Sequence, residues 1–154
     1  MEPSLRKPLP GTVTIRRAEM IDAERVHRFV SALEEEAFDY DIFRDLYFQN
    51  IKNENNIYLV AVDGEEVIGY ISCHSQILLH HLGRVYEIQE LYVDVNHRNK
   101  KAGALLLKTL EGIISKADYK SLEVTSNKKR FDAHRFYIDN GFVHSHFKFT
   151  KQKS

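Results

Sequence analysis

The chain has 154 residues, enough for one domain with a sizeable core and short for two. Its 43% hydrophobic and 29% charged residues are ordinary for a globular protein, and 22 basic residues cancel 22 acidic ones, which argues against a general polyanion binder. A single cysteine, Cys73, excludes an internal disulfide and fits a reducing compartment, and no apolar run is long enough to cross a bilayer.

Residues 1–11 hold all three prolines and no apolar signal core, so a loose leader is expected there, followed by one cytoplasmic domain over 12–154. Residues 13–17 read as a short strand. After Asp22, an N-cap, the residues Val26, Phe29, Val30, Leu33 and Ala37 mark one face of a helix. A second helix is expected after Asp41, with Phe43, Leu46, Tyr47 and Ile51 inward. Residues 57–62 are apolar on both faces, as a buried central strand would be. Asp63-Gly64 then signals a hairpin into a strand from Val67 to about Ile77, and after a turn over 78–83 a further strand follows over 85–93.

That strand leads through a basic loop into a helix over residues 93–112, the junction on which the chain is organised. A helix's first turn leaves backbone N–H groups unpaired and carries partial positive charge, so it binds phosphate or carboxylate. Arg98, Lys100 and Lys101 add charge there, and Gly103 permits close approach to the backbone. Leu106, Leu110, Ile113, Ile114 and Ala117 then recur at helical spacing, ending near Lys116. Residues 122–125 read as another strand, and 132–140 as a helix closed by Gly141 at its C′ position. The alternation of Phe142, His144, His146 and Lys148 against Val143, Ser145, Phe147 and Phe149 predicts a half-buried last strand. The order is strand, two helices, three antiparallel strands, helix, strand, helix, strand: an α+β, three-layer arrangement with one mixed, mostly antiparallel sheet flanked by about four helices.

Over roughly residues 14–151 the sequence resembles the GNAT superfamily of acetyl-coenzyme A dependent N-acetyltransferases. The family's loop, Gln/Arg-x-x-Gly-x-Gly/Ala, corresponds to Arg98-Asn99-Lys100-Lys101-Ala102-Gly103, with Lys101 in place of the first glycine. Its Ala-x-x-x-Tyr-x-x-x-Gly-Phe pattern corresponds to the stretch from Ala133 through Tyr137 to Gly141-Phe142. Residues 38–44 (FDYDIFR), 78–93, 126–137 (SNKKRFDAHRFY) and 145–150 (SHFKFT) look like the bacterial aminoalkylphosphonate N-acetyltransferases.

The resemblance implies a chemistry with three demands. The amine must lose a proton before it attacks, the tetrahedral oxyanion needs a fixed donor, and the departing thiolate is helped by a proton. Tyr137 matches the family's proton donor. Glu90 is chosen as base, with Glu87 next; strand alternation would put the two on opposite faces. Leu91, Tyr92 and Val93 correspond to the splayed strand that meets the acetyl and pantetheine arm. Arg98, Asn99, Lys100, Lys101, Ala102, Gly103 and Ala104 should hold the pyrophosphate, and Asn127 the pantetheine or adenine side. A phosphonate dianion favours arginine, so Arg44 and then Arg135 are the candidates for the acceptor.

Eight histidines raise a metal reading, and a divalent ion is associated with the phosphonate-acetylating group. However, no spacing typical of a structural zinc site occurs, so ligands stay unassigned. The expected partners are acetyl-coenzyme A, a small amine and a second copy of the chain through the sheet or the last strand. Nucleic acid is not expected, since no helix has a basic face in a helix-turn-helix pattern. Rival readings are acetylation of a polyamine or amino acid, and a non-catalytic acyl-coenzyme A binding regulator.

Overall fold

The computed structural model describes residues 11–154, so most of the proposed leader lies outside the described residues. Five strands form one sheet in the order β1-β2-β3-β4-β5: β1 Val13–Arg17, β2 Asn56–Asp63, β3 Glu66–Leu78, β4 Gly83–Val93 and β5 Ser121–Val124. The first four pair antiparallel and β5 runs parallel to β4. The helices are α1 Ala23–Glu34, α2 Tyr40–Lys52, α3 Ala102–Ile114 and α4 Phe131–Asp139. α3 forms the crossover between the parallel strands, which cannot be joined by a tight turn.

Two apolar layers enclose the sheet. Ile57, Leu59 and Ala61 of β2 pack with Leu106, Leu107, Leu110 and Ile114 of α3. Tyr58, Val60 and Val62, the alternate residues, pack with Val26 and Phe29 of α1 and Tyr47 of α2. β2 is therefore buried on both faces, as its continuous apolar run predicts.

Local sequence explains the element ends. Asp39 caps α2 by accepting from Ile42 N at 3.0 Å, so the helix begins just before Asp41, and Leu46 is half exposed rather than inward. Asp22 stands at the N-cap of α1 but does not cap it with its side chain. Its buried carboxylate accepts from both Arg16 guanidinium nitrogens, at 2.7 and 2.9 Å, and from Glu19 N at 2.8 Å. Gly141, at φ 90°, closes α4.

Two expectations are corrected. Residues 142–150 form no strand, and Val143, Phe147 and Phe149 are 83%, 84% and 92% exposed. Alternation describes a segment able to pair but supplies no partner edge. Glu87 and Glu90 also share a face. Ser72 pairs with Glu90 while the next residue, Cys73, pairs with Ile88, so Gln89 is an extra residue in β4. Tyr86 and Ile88 before this bulge, and Leu91 and Val93 after it, all pack on the α3 side, leaving Glu87 and Glu90 together on the α1–α2 side.

Candidate active site

β4 continues to Val93, whereas its pairing with β5 covers only Val85–Ile88. The backbone edge from Gln89 to Val93 therefore has no strand beside it where β5 would lie. Leu91, Tyr92 and Val93 lie along this open edge. It faces the start of α3: a Cβ added to Gly103 would lie 3.7 Å from Val93 Cγ2 and 3.9 Å from Phe136 of α4. Strand edge, helix start and α4 thus converge.

The loop into α3 begins with Asp94, whose carboxylate accepts from Asn96 N at 3.0 Å and pairs with Arg25 at 2.9 Å. A 3₁₀ turn, Val95–Lys100, leads to Lys101 at φ 57°. Leu105 N bonds to Lys101 O at 3.1 Å, which leaves the N–H groups of Ala102, Gly103 and Ala104 at the unsatisfied first turn of α3. The first turn of α3 is thus open in its backbone, and the nearby cations are unequally free. Arg98 donates to Val93 O at 3.1 Å and lies over the Tyr92 ring, while Lys100 pairs with Asp63 at the β2–β3 hairpin. That ammonium, with the Gly11 N–H, holds the Asp63 carboxyl below its ordinary pKa. Asn99 is exposed.

Lys101 occupies a left-handed conformation that costs an L side chain roughly 1–2 kcal/mol and glycine much less. Lys101→Gly is expected to stabilise the fold by about 0.5–1 kcal/mol after glycine's greater unfolded-state entropy is counted. A thermal melt reads this as a rise of a few degrees, and a fall would contradict the assigned backbone.

Tyr137 lies half-buried on α4, edge-on to Phe136 and Phe142 at 5.5 Å each. Burial pushes its phenol up to about 12, against a smaller opposite effect of Arg130. Its hydroxyl makes no hydrogen bond among the described residues, so a protonated O–H remains available. Arg130 ties the α4 side to α1 by donating to Leu33 O at 2.7 Å and pairing with Glu34 at 3.5 Å. Asn127 is spent within its own loop: Oδ1 accepts from Lys129 N at 3.0 Å, and its carbonyl meets Arg130 N and His134.

On the α1–α2 face a cavity of about 230 Å³ is lined by Val30, Phe43 and Tyr47 of the helices and by Tyr58, Tyr70, His74 and Glu90 of the sheet, with Leu46, Asn50 and Gln89. Glu90 Oε1 accepts from Ser72 Oγ at 2.6 Å and Tyr70 O–H at 3.1 Å, and Glu90 N donates back to Ser72 Oγ at 3.0 Å. Burial and then the Glu90 charge raise the Tyr70 phenol, so it stays a donor. The Tyr58 hydroxyl lies 2.7 Å from His74 Nε2. Burial raises Tyr58 and lowers His74 relative to their ordinary values. A fixed, half-buried carboxylate beside an apolar-walled cavity can take a proton from a bound amine.

The sequence reading missed Ser72, His74 and the tyrosines. Their signal was present: along β3 the residues Tyr70, Ser72 and His74 alternate with Ile71 and Cys73, placing a polar row on a face that also carries Glu90. The arginines are not brought into the cavity. Arg44 turns to Asp41 and Asp45, at 3.6 and 3.4 Å, and lies over Tyr40, while Arg135 is exposed on α4.

For a resident metal, one group of three or more histidine and acidic ligands occurs among the described residues: Glu66, Asp94 and His97. Arg25 contacts both carboxylates, at 3.3 and 2.9 Å. A guanidinium already neutralises those charges, so the group does not fit a divalent cation. His144 and His146 are exposed on the last segment, and His80 and His81 sit at the β3–β4 turn.

Comparison with known proteins agrees with this architecture. Residues 18–142 match the Acetyltransferase (GNAT) family. An aminoalkylphosphonate N-acetyltransferase of Salmonella typhimurium strain LT2 is 39% identical over 137 residues, covering 89% of each chain. Among solved structures, a transcriptional regulator from Bacillus halodurans C-125 superposes with TM-score 0.84 at 23% identity, covering 92% of this chain and 100% of that one. A ribosomal-protein-alanine N-acetyltransferase from Brucella melitensis biovar Abortus 2308 does so with TM-score 0.77 at 13% identity, covering 93% and 100%. At these identities the two structures speak for the fold alone. With its splayed fourth strand, its open helix start and a family match over most of its length, the chain belongs to the GNAT family of acetyltransferases and is an acetyl-transfer enzyme.

Proposed function

We propose that the enzyme moves the acetyl group of acetyl-coenzyme A to the primary amine of an aminoalkylphosphonate, by direct attack within a ternary complex. The observation that carries the acceptor class is the 39% identity to the Salmonella enzyme over 89% of both chains. In this reading Glu90 takes a proton from the bound ammonium, and the amine lone pair attacks the thioester carbonyl to form the C–N bond. The oxyanion is met by backbone N–H of the open β4 edge. As the C–S bond breaks, the Tyr137 hydroxyl gives its proton to the departing thiolate, the proton still in excess on the former amine nitrogen is released as the neutral amide forms, and Tyr137 regains a proton from solvent. The first turn of α3, Ala102 to Ala104, with Arg98 and Lys101, holds the pyrophosphate. A covalent acetyl-cysteine route is disfavoured, because Cys73 is fully buried on the α3 side and burial pushes its thiol up to about 12.

Arg44 is proposed to meet the phosphonate by leaving Asp41 and Asp45. Both acids are exposed, and such surface pairs are worth only about 0–1 kcal/mol. Arg44→Ala is expected to raise KM for aminoethylphosphonate roughly 10-fold or more with coenzyme affinity unchanged, the loss typical of a hydrogen bond to a charged group. An unchanged KM would remove Arg44 from the acceptor site.

A polyamine is the second reading, and the cavity favours it in one respect: its lining includes Glu90 and, among the described residues, no lysine or arginine. Comparing phosphonate and polyamine acceptors directly separates the two.

We also propose a homodimer through residues 142–150. β5 pairs only with β4, so its outer edge is open among the described residues, and the exposed Val143, Phe147 and Phe149 make an extended segment suited to add to such an edge in a second copy. Light scattering should give a dimer for the full chain and a monomer after truncation at Phe142; a monomeric full chain at micromolar concentration would contradict it.

A further inference from the structure

α1 serves both binding regions. Its Val30 lines the acceptor cavity, while its Arg25 reaches the root of the loop into α3. The Arg25 guanidinium has three hydrogen-bond partners. Nε donates to Val67 O of β3 at 2.9 Å, and Nη2 donates to Asp94 at 2.9 Å and to Glu66 at 3.3 Å. The Glu66 side chain is 57% exposed and that of Asp94 only 18%, so the Asp94 pair is the less screened and the stronger of the two. The guanidinium also lies over the Phe29 ring, 4.9 Å from its centroid. A planar fork held at Val67 and over Phe29 has a fixed aim.

Asp94 is where the open strand edge becomes the loop. Its N–H donates to Ile68 O at 2.8 Å, next to the Val67 carbonyl that holds Arg25. Its two carboxylate oxygens take different partners: Oδ1 accepts from Asn96 N at 3.0 Å, and Oδ2 accepts from Arg25. His97 Nδ1 lies 3.9 Å from Oδ1, too far for a hydrogen bond, so among the described residues Arg25 is the charged donor that fixes this carboxylate. The carboxylate in turn caps the 3₁₀ turn that delivers Lys101 and the first turn of α3. The turn is tied to α1 a second time: Phe29 lies 5.4 Å from the Tyr92 ring, and the Arg98 guanidinium lies 5.5 Å from the Tyr92 centroid.

We infer that Arg25 is a positioning residue for the coenzyme, which by holding Asp94 sets the aim of the first turn of α3 at the pyrophosphate. This rests on the reading of Ala102 to Ala104 as the pyrophosphate site. The Arg25 donors are engaged by Val67, Asp94 and Glu66, so it acts through the loop and not by contact with the ligand.

The test is equilibrium binding by the full chain, which needs no acceptor. Coenzyme A is titrated calorimetrically, and pantetheine, which lacks the pyrophosphate and the nucleotide, is titrated by NMR shifts at millimolar concentration. Arg25→Gln and Asp94→Asn are each expected to raise the Kd for coenzyme A roughly 10-fold, with the Kd for pantetheine unchanged and the double variant no weaker than either single one. The shared sign is what separates positioning from charge. A bare charge effect on an anionic ligand would make Arg25→Gln weaken binding and Asp94→Asn strengthen it, and a merely structural role would weaken both ligands alike. Either pattern, additive losses or no change would overturn the inference. Asp94→Asn keeps an oxygen for Asn96 N and leaves Arg25 on Val67 and Phe29, so it decides alone if Arg25→Gln does not fold. In the unaltered protein, coenzyme A binding no tighter than pantetheine would instead remove the pyrophosphate reading, and the inference with it.

Discussion

Tyr137→Phe is expected to lower kcat by about 10²–10⁴-fold while leaving affinity for acetyl-coenzyme A nearly unchanged. The substitution removes one oxygen and keeps the ring that packs against Phe136 and Phe142. It therefore separates proton donation from packing. The phenol's displacement by burial to about 12 sets a further expectation for the unaltered enzyme. A raised value keeps the donor protonated through the alkaline range, so ionisation of Tyr137 should cost no activity until about pH 11. Rapid-quench measurement of the chemical step checks both points. A Tyr137→Phe enzyme with native kcat would strip the residue of its role.

Glu90→Gln is expected to lower kcat/KM by about 10²–10⁴-fold at neutral pH, with the deficit shrinking as pH rises. The reason is the substrate. A free alkylammonium titrates near pH ~10, so at high pH the amine arrives without the proton that Glu90 removes. The glutamine retains an oxygen that can accept from Ser72 and Tyr70, so the local hydrogen bonds in the sheet largely survive. A full pH–rate profile of both enzymes decides the matter: a deficit constant with pH would show that Glu90 acts by another route.

Most of the fold was legible because its signals were local. The apolar run at residues 57–62, the Asp-Gly turn at 63–64, the helix-spaced leucines after Gly103 and the glycine after Asn140 each demand one backbone conformation, and each formed it. The loop into α3 was legible for the same reason, although the sequence could not reveal that Lys100 would be held by Asp63, 37 positions away. What escaped was non-local. The bulge at Gln89 comes from register with β3, and it moved Glu87 to the face of Glu90. Residues 142–150 have the pattern of a strand but pair with no strand within the described chain. Arg44 lies on the expected second helix, yet its direction depends on Asp41 and Asp45. His74 was overlooked among eight histidines because its place in the cavity wall and its contact with Tyr58 both depend on the pairing of β3 with β2.

The most direct test of the account is release of free thiol from acetyl-coenzyme A by the purified protein, offered aminomethylphosphonate, aminoethylphosphonate, spermidine and several amino acids in parallel, with and without a chelator. The account predicts turnover with the two phosphonates, little with the others, and no loss on chelation. Turnover confined to spermidine or an amino acid would contradict the acceptor assignment while keeping the fold, and silence across the panel despite tight coenzyme binding would contradict the proposed acceptor and mechanism together.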